Sequence, residues 1–172
     1  MYVNRSGRED LDRHVESSRV CCFSEEKSSL LLWAHYADNH RGICLEYEVP
    51  EYEFRSRFME VKYREELPLL NQIDVNFDGH LLVNVNKASG SVFLTKSLDW
   101  AYEKEWRVFV VSDKKSEGEL VDVPGRLSAV YFGLRSSGST RAIATKLSPH
   151  CVELYDSFLQ GDSYQLGFNR LR

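Results

Sequence analysis

The chain predicts a mixed α+β fold: a single domain, residues 1–172, with one mostly antiparallel sheet of about six to eight strands and a few packed helices. Three observations predict it. Short apolar or alternating runs recur along the sequence with turn residues between them. One segment, Leu30 to Ala37, carries apolar residues at the helical period. The strand runs are too unevenly separated for a regular doubly wound sheet.

Composition narrows the class. A chain of 172 residues is long enough to bury a real core, and its 42% hydrophobic and 28% charged content is ordinary for a globular protein. A net charge of −4 argues against a binder dominated by nucleic-acid phosphates, which needs a basic stripe. No run reaches the ~18 apolar residues of a membrane span, and the N-terminus lacks a signal pattern, so a cytoplasmic location is the default expectation. The four cysteines, Cys21, Cys22, Cys44 and Cys151, form no C-x-x-C pair and no zinc spacing. Their apolar surroundings read as buried thiols. No metal is expected.

Taken in order, Asp10 to Ser17 reads as a short polar helix, and Arg19 to Ser24 as a nearly continuous apolar strand of the kind covered on both faces. Ser28 or Ser29 caps a helix in which Leu30, Trp33, Ala34 and Ala37 line one face, and Gly42 offers a left-handed stop. Ile43 to Val49 is the next strand, ended by Pro50. Residues 51–58 mix Tyr52, Phe54 and Phe58 with charges and are ambiguous. Met59 to Arg64 alternates like a strand with one wet face. Residues 65–79 form a long connection, and 80–95 lean to a helix. Lys104 to Val111 is a strong strand, followed by turn-rich 112–118 and a short strand at 119–123. Leu127 to Gly133 is a buried strand. A helix then starts at Ser139 or Thr140 and runs to about Leu147. Cys151 to Tyr155 and Tyr164 to Phe168 are the last strands, with a hairpin turn at Gly161-Asp162.

Two segments carry chemistry. In the helix, His35 and Asn39 are spaced i, i+4, as are Tyr36 and His40, with Arg41 at the helix end. His and Tyr supply flat rings and donors, Asn reads donors and acceptors, and Arg clamps an anion. The structural alternative makes His35 a backbone-bonded core residue and Asn39 to Arg41 a solvated cap. In the second segment Glu103, Glu105 and Arg107 alternate, so a strand places them on one face roughly 7 Å apart. Such a group can act as a general base or stabilise an oxocarbenium ion, with Arg keeping a carboxylate ionised. The alternative is a solvent-facing ladder of little energetic weight. Lys96 and Trp100 add a charge and a stacking face to the same region. The nucleophile elbow, the phosphate-binding loop and the dinucleotide fingerprint are all missing from the sequence.

The wording and order of Cys22-Phe-Ser-Glu25, Leu32-Trp-Ala-His-Tyr-Ala-Asp-Asn-His-Arg-Gly-Ile-Cys-Leu-Glu46, Val61-Lys-Tyr63, Lys96, Trp100, Tyr102-Glu-Lys-Glu-Trp-Arg107 and Val130-Tyr-Phe-Gly133 resemble domain of unknown function family 2971, over roughly residues 20–135. The family is bacterial and has no established activity. Its members usually carry an N-terminal extension that is absent from the roughly twenty residues preceding Cys-Phe-Ser here. The chain thus resembles a shortened member, which implies either that part of the family's pocket is missing or that a second subunit supplies it in a homodimer. A fold-level similarity to ADP-ribosyltransferase-like domains rests on Glu103-x-Glu105 and the strand–Pro–strand run Val121 to Phe132. It implies that Glu105 or Glu103 bonds a nicotinamide ribose while His35 and Tyr36 hold NAD. That superfamily places its His and Tyr on separate elements, whereas here they are adjacent.

These readings converge on a small-ligand or nucleotide-processing domain. Its site would set Glu105, Glu103 and His35 as catalytic groups among Tyr36, Asn39, His40, Arg41, Lys96, Trp100 and Arg107. The competing expectation is a non-catalytic ligand-sensing or interaction module.

Overall fold

The computed structural model describes residues 18–66, 92–111 and 125–171. The expected polar helix at 10–17, the connection after Glu66, most of the expected helix at 80–95, and the turn and strand at 112–123 lie outside those residues. Two compact units emerge, and the chain passes between them several times.

The first unit contains β1 (Ser18–Ser24), β3 (Met59–Glu60), β4 (Lys62–Arg64), β5 (Thr95–Ser97) and β6 (Glu105–Val111). The second contains α1 (Leu30–Tyr36), β2 (Ile43–Glu48), α2 (Glu51–Arg57), β7 (Arg126–Phe132), α3 (Gly138–Leu147), β8 (Glu153–Leu159) and β9 (Leu166–Arg170). The boundary trims single residues from the ends of β1 and α2.

The fold is α+β, as expected, but the single sheet is not observed. Among the described residues the strands divide into three sheets, ordered β1-β6-β3, β2-β7-β8-β9, and β4-β5. The chain changes sheet between β1 and β4 and again between β5 and β7, whereas β4-β5 and β7-β8-β9 are sequential neighbours within one sheet. Each local run shows that a strand exists, but its partner is set by contacts far away in sequence.

In the second unit β7 is central. It pairs antiparallel with β2 and parallel with β8, and β8 pairs antiparallel with β9 across the expected turn at Gly161-Asp162. The parallel step from β7 to β8 is a crossover through α3, as parallel neighbours require. Because β7 is covered on both faces, Ala129 to Phe132 are all 3% exposed or less. On one face Ala129 and Tyr131 pack with Trp33, Ala37 and Leu166. On the other, Val130 and Phe132 pack with Val152, Leu154 and Ala144 of α3.

Ser29 caps α1 by accepting from Leu32 N–H, and Ser137 caps α3 by accepting from Thr140 N–H. The ambiguous stretch after Pro50 is α2, with Arg55 paired to Glu51 one turn earlier.

The first unit is thinner. Phe23 and Phe58 pack at 5.0 Å between ring centroids, with Phe58, Val61 and Val108 buried. The alternation over Met59 to Arg64 holds, with Val61 buried and Glu60, Lys62 and Arg64 exposed, but the expected single strand is divided at Val61 into β3 and β4, which belong to different sheets. Within the expected helix at 80–95, Val92–Leu94 is a single 3-10 turn and Thr95 already begins β5. The apolar run Val20 to Cys22 is exposed at the edge of its described sheet, which corrects the expectation of a covered central strand. The thiols are corrected with it: Cys21, Cys22 and Cys151 are exposed and Cys44 is partly buried.

Candidate functional site

The polar end of α1 is built differently from an extended helix. Leu30 to Tyr36 are helical, and then Asp38, Asn39 and His40 take φ of 45°, 50° and 68°. His35 and Asn39 are therefore not neighbours on one helical face, and neither are Tyr36 and His40. The helix is terminated by these three left-handed residues, not by Gly42. Asn39 N–H donates to Ala34 O, His40 N–H to Trp33 O, and Gly42 N–H to Ala37 O at 2.9 Å. Gly42 sits in a tight place: a Cβ there would lie 3.2 Å from the backbone of Ala37.

Non-glycine residues in this region cost roughly 1–2 kcal/mol each, less for Asn and Asp. Tertiary contacts hold the turn in place. Arg135 N–H donates to His40 O at 2.9 Å and Gly133 N–H to Gly42 O at 3.1 Å. The His40 ring lies parallel to that of buried Trp33, 6.5 Å between centroids. Asp38, Asn39 and Arg41 remain exposed, and Arg41 approaches Asp38 at 3.9 Å.

His35 is exposed, its ring edge-on to Tyr36 at 6.2 Å. The Tyr36 side chain is largely exposed, yet its hydroxyl donates to Glu103 Oε1 at 2.8 Å. Glu103 is 3% exposed, and its backbone carbonyl accepts from Ser24 Oγ. One expected link between the two segments, Tyr36 with Glu103, is thus formed within the second unit.

Glu103 and Glu105 do not share a strand face. Glu103 closes a 3-10 turn, Lys104 reverses the backbone at φ 45°, and β6 begins only at Glu105. Glu105 and Arg107 do share a face, in the first unit. Arg107 Nε donates to Glu105 Oε1 at 2.8 Å and its second terminal nitrogen to Oε2 at 3.1 Å. The remaining nitrogen reaches Phe93 O. Lys96 Nζ lies 3.2 Å from Glu105 Oε2 and 4.9 Å from the centre of the Trp100 ring. Lys96, Trp100, Glu105 and Arg107 are therefore brought together as expected, but not as a wet ladder, since Glu105 is 5% exposed.

Burial opposes ionisation of Glu105. Hydrogen bonds from Arg107, Cys22 and Lys96 outweigh it and hold its pKa at about 2. Burial and the Glu105 carboxylate push the Cys22 thiol the other way, to about 11. Cys22 is a hydrogen-bond donor at neutral pH, not a nucleophile.

A second polar network was not foreseen. Lys27 Nζ meets Glu46 Oε2 at 2.6 Å and Tyr131 Oη at 2.8 Å, while Tyr131 also donates to Glu46 at 2.9 Å. Burial lowers the Lys27 pKa, but the bonds to Glu46 and Tyr131 outweigh it and raise it overall. Tyr131 stacks on Tyr155 and meets Phe168 edge-on, each at 4.8 Å. Lys27 and Tyr131 are 104 positions apart in the chain, so no local spacing could announce the pair. Among the described residues no cluster of His, Cys, Asp and Glu could hold a metal, and no helix is long and apolar enough to cross a membrane.

Residues 32–108, less than half of the chain, match a family model described as a protein of unknown function, DUF2971. The matched stretch contains both the turn after α1 and the Glu103–Arg107 segment. Neither the curated proteins nor the solved structures give a match. The similarity to ADP-ribosyltransferase-like domains gains no support from them.

Proposed function

We propose that the chain is a non-catalytic recognition module whose binding surface is the polar end of α1, from His35 to Arg41. The observation that carries this reading is the run of three left-handed residues, Asp38, Asn39 and His40, locked by backbone hydrogen bonds. Backbone strain of this kind persists where the surroundings over-determine it, and it clusters at ligand clamps and switch regions. Here it leaves Asp38, Asn39 and Arg41 exposed to solvent, as His35 and Tyr36 are.

The state of Glu105 supports the non-catalytic side. A general acid or base works best with a pKa near the operating pH, and a carboxylate at about 2 is far from it. With both oxygens engaged by cations, Glu105 is suited to anchoring Arg107 and Lys96. The residue chemistry of the α1 end fits a small anionic ligand with a planar group, a nucleotide of NAD type being one example: Arg41 for the anion, His35 and Tyr36 for the ring. A homodimer in which a second copy completes this surface belongs to the same proposal.

A melting-temperature screen of the full chain against NAD, ADP-ribose and mononucleotides tests the reading. A ligand that raises the melting temperature of the wild type and of Glu105→Gln, but not of Arg41→Ala, supports it. Glu105-dependent breakdown of NAD, followed by product analysis, would overturn it in favour of an enzyme. Sedimentation with and without the ligand reads the dimer.

A further inference from the structure

We propose that His40 is a pH-sensitive latch: neutral, it holds the left-handed turn Asp38–His40 against the segment Gly133–Arg135, and protonation in mild acid releases that turn. The inference concerns the conformation of the turn and stands whether or not the turn binds a ligand.

The geometry begins with the ring. His40 Nδ1 is sealed from solvent and has no hydrogen-bond partner among the described residues. A neutral imidazole tolerates this by leaving a bare lone pair at Nδ1. An imidazolium must carry a proton there, with nothing to accept it. The ring also lies flat against Trp33, with 7° between the planes.

The charged groups around it are few and their signs are clear. From the turn after β7 comes Arg135, whose charge opposes a second cation. From its own turn come Asp38 and Arg41, which approach one another. From α1 comes Trp33, which is uncharged. Burial first, then Arg135, lower the His40 pKa from the ordinary 6.5. The released turn therefore binds more protons than the docked turn below about pH 6.5, so docking weakens as pH falls through the lowered value. Well above 6.5 both forms of the turn keep His40 neutral, and its contribution to the pH dependence vanishes.

The backbone is poised to use that loss. His40 O accepts from Arg135 N–H, and Gly42 O from Gly133 N–H. Once the ring leaves Trp33, three residues held at positive φ can relax, and these two tertiary bonds go with them. Glu26, Glu46 and Glu105 all have pKa values lowered from 4.5, so they titrate in a separate, more acidic window.

The test is ring-proton NMR of His40 in the full chain, with amide hydrogen exchange at Gly133 and Arg135 between pH 7.5 and pH 5, corrected for intrinsic rates. The expected result is a His40 midpoint below 6.5 and a loss of amide protection that tracks it. His40→Gln, which cannot titrate, should show no such loss. Arg135→Gln keeps the backbone donor and should move the His40 midpoint upward, so the proposal stays testable if the His40 variant does not fold. A His40 midpoint at or above 6.5, or protection that falls equally in His40→Gln, would overturn the latch.

Discussion

Gly133 lies against the carbonyl of His40 so closely that a Cβ at position 133 would come within 2.3 Å of that oxygen and 2.7 Å of its carbon. Both contacts are to backbone, which cannot swing aside as a side chain can. The end of β7 and the turn after α1 are therefore fitted to one another at a place where only glycine leaves room.

Gly133→Ala should destabilise the protein by about 1–3 kcal/mol, the usual range for overpacking, because the turn must shift as a body. Chemical denaturation checks it. An unchanged midpoint would mean that the turn is not seated on β7 as described.

Asn39 separates strain from side-chain chemistry. With φ at 50°, Asn39→Gly should be neutral or stabilising, whereas Asn39→Ala should cost about 1 kcal/mol through the left-handed penalty. Paired melting curves measure the difference. If Asn39→Ala proved as stable as Asn39→Gly, the backbone would not be held where it is.

Tyr36→Phe removes a hydroxyl donor from the buried Glu103 carboxylate. Hydrogen bonds to charged groups contribute about 1.5–3 kcal/mol, and because Tyr36 is itself largely exposed, water can replace part of the loss. A cost of about 1 kcal/mol is expected from urea titration, and no cost at all would show that Tyr36 is not engaged.

Glu105 predicts an acid-dependent stability. Its folded pKa is depressed to about 2 from the ordinary 4.5, so the stability it contributes is complete above 4.5 and is lost as pH falls through about 2. Glu105→Gln should be destabilised at neutral pH by about 2–4 kcal/mol, because Arg107 and Lys96 stay half-buried without their anion. Below pH 4.5 its stability curve should be flatter than that of the wild type. Parallel denaturation series at pH 7, 4 and 2.5 compare the two. Curves that stay parallel would remove Glu105 from the acid response.

Much of this architecture is written in local pattern. The apolar stripe of Leu30, Trp33 and Ala37 specifies α1, and Trp33 and Ala37 enter the core, because burial follows helical periodicity. The continuous run Ala129 to Phe132 specifies a strand covered on both faces, and that is what β7 is. The pairing of Glu105 with Arg107 follows from strand alternation alone. Local pattern misleads at Lys104 and at Asp38 to His40. There a backbone reversal at non-glycine residues breaks the spacing rules on which i, i+4 and i, i+2 arguments rest.

The sequence by itself determined α1, α3, most of the strands and the α+β class, since each depends on residues a few positions apart; the ionised state of Glu105 needed Cys22 as well as its neighbours Arg107 and Lys96. Tertiary structure alone decided which strands share a sheet, that Tyr36 reaches Glu103 sixty-seven positions away, and that Lys27 reaches Tyr131. It also decided the left-handed turn, because strain at Asp38 to His40 is tolerated only against the contacts of Gly133 and Arg135. Such contacts close long loops, and no local periodicity encodes the loop they will close.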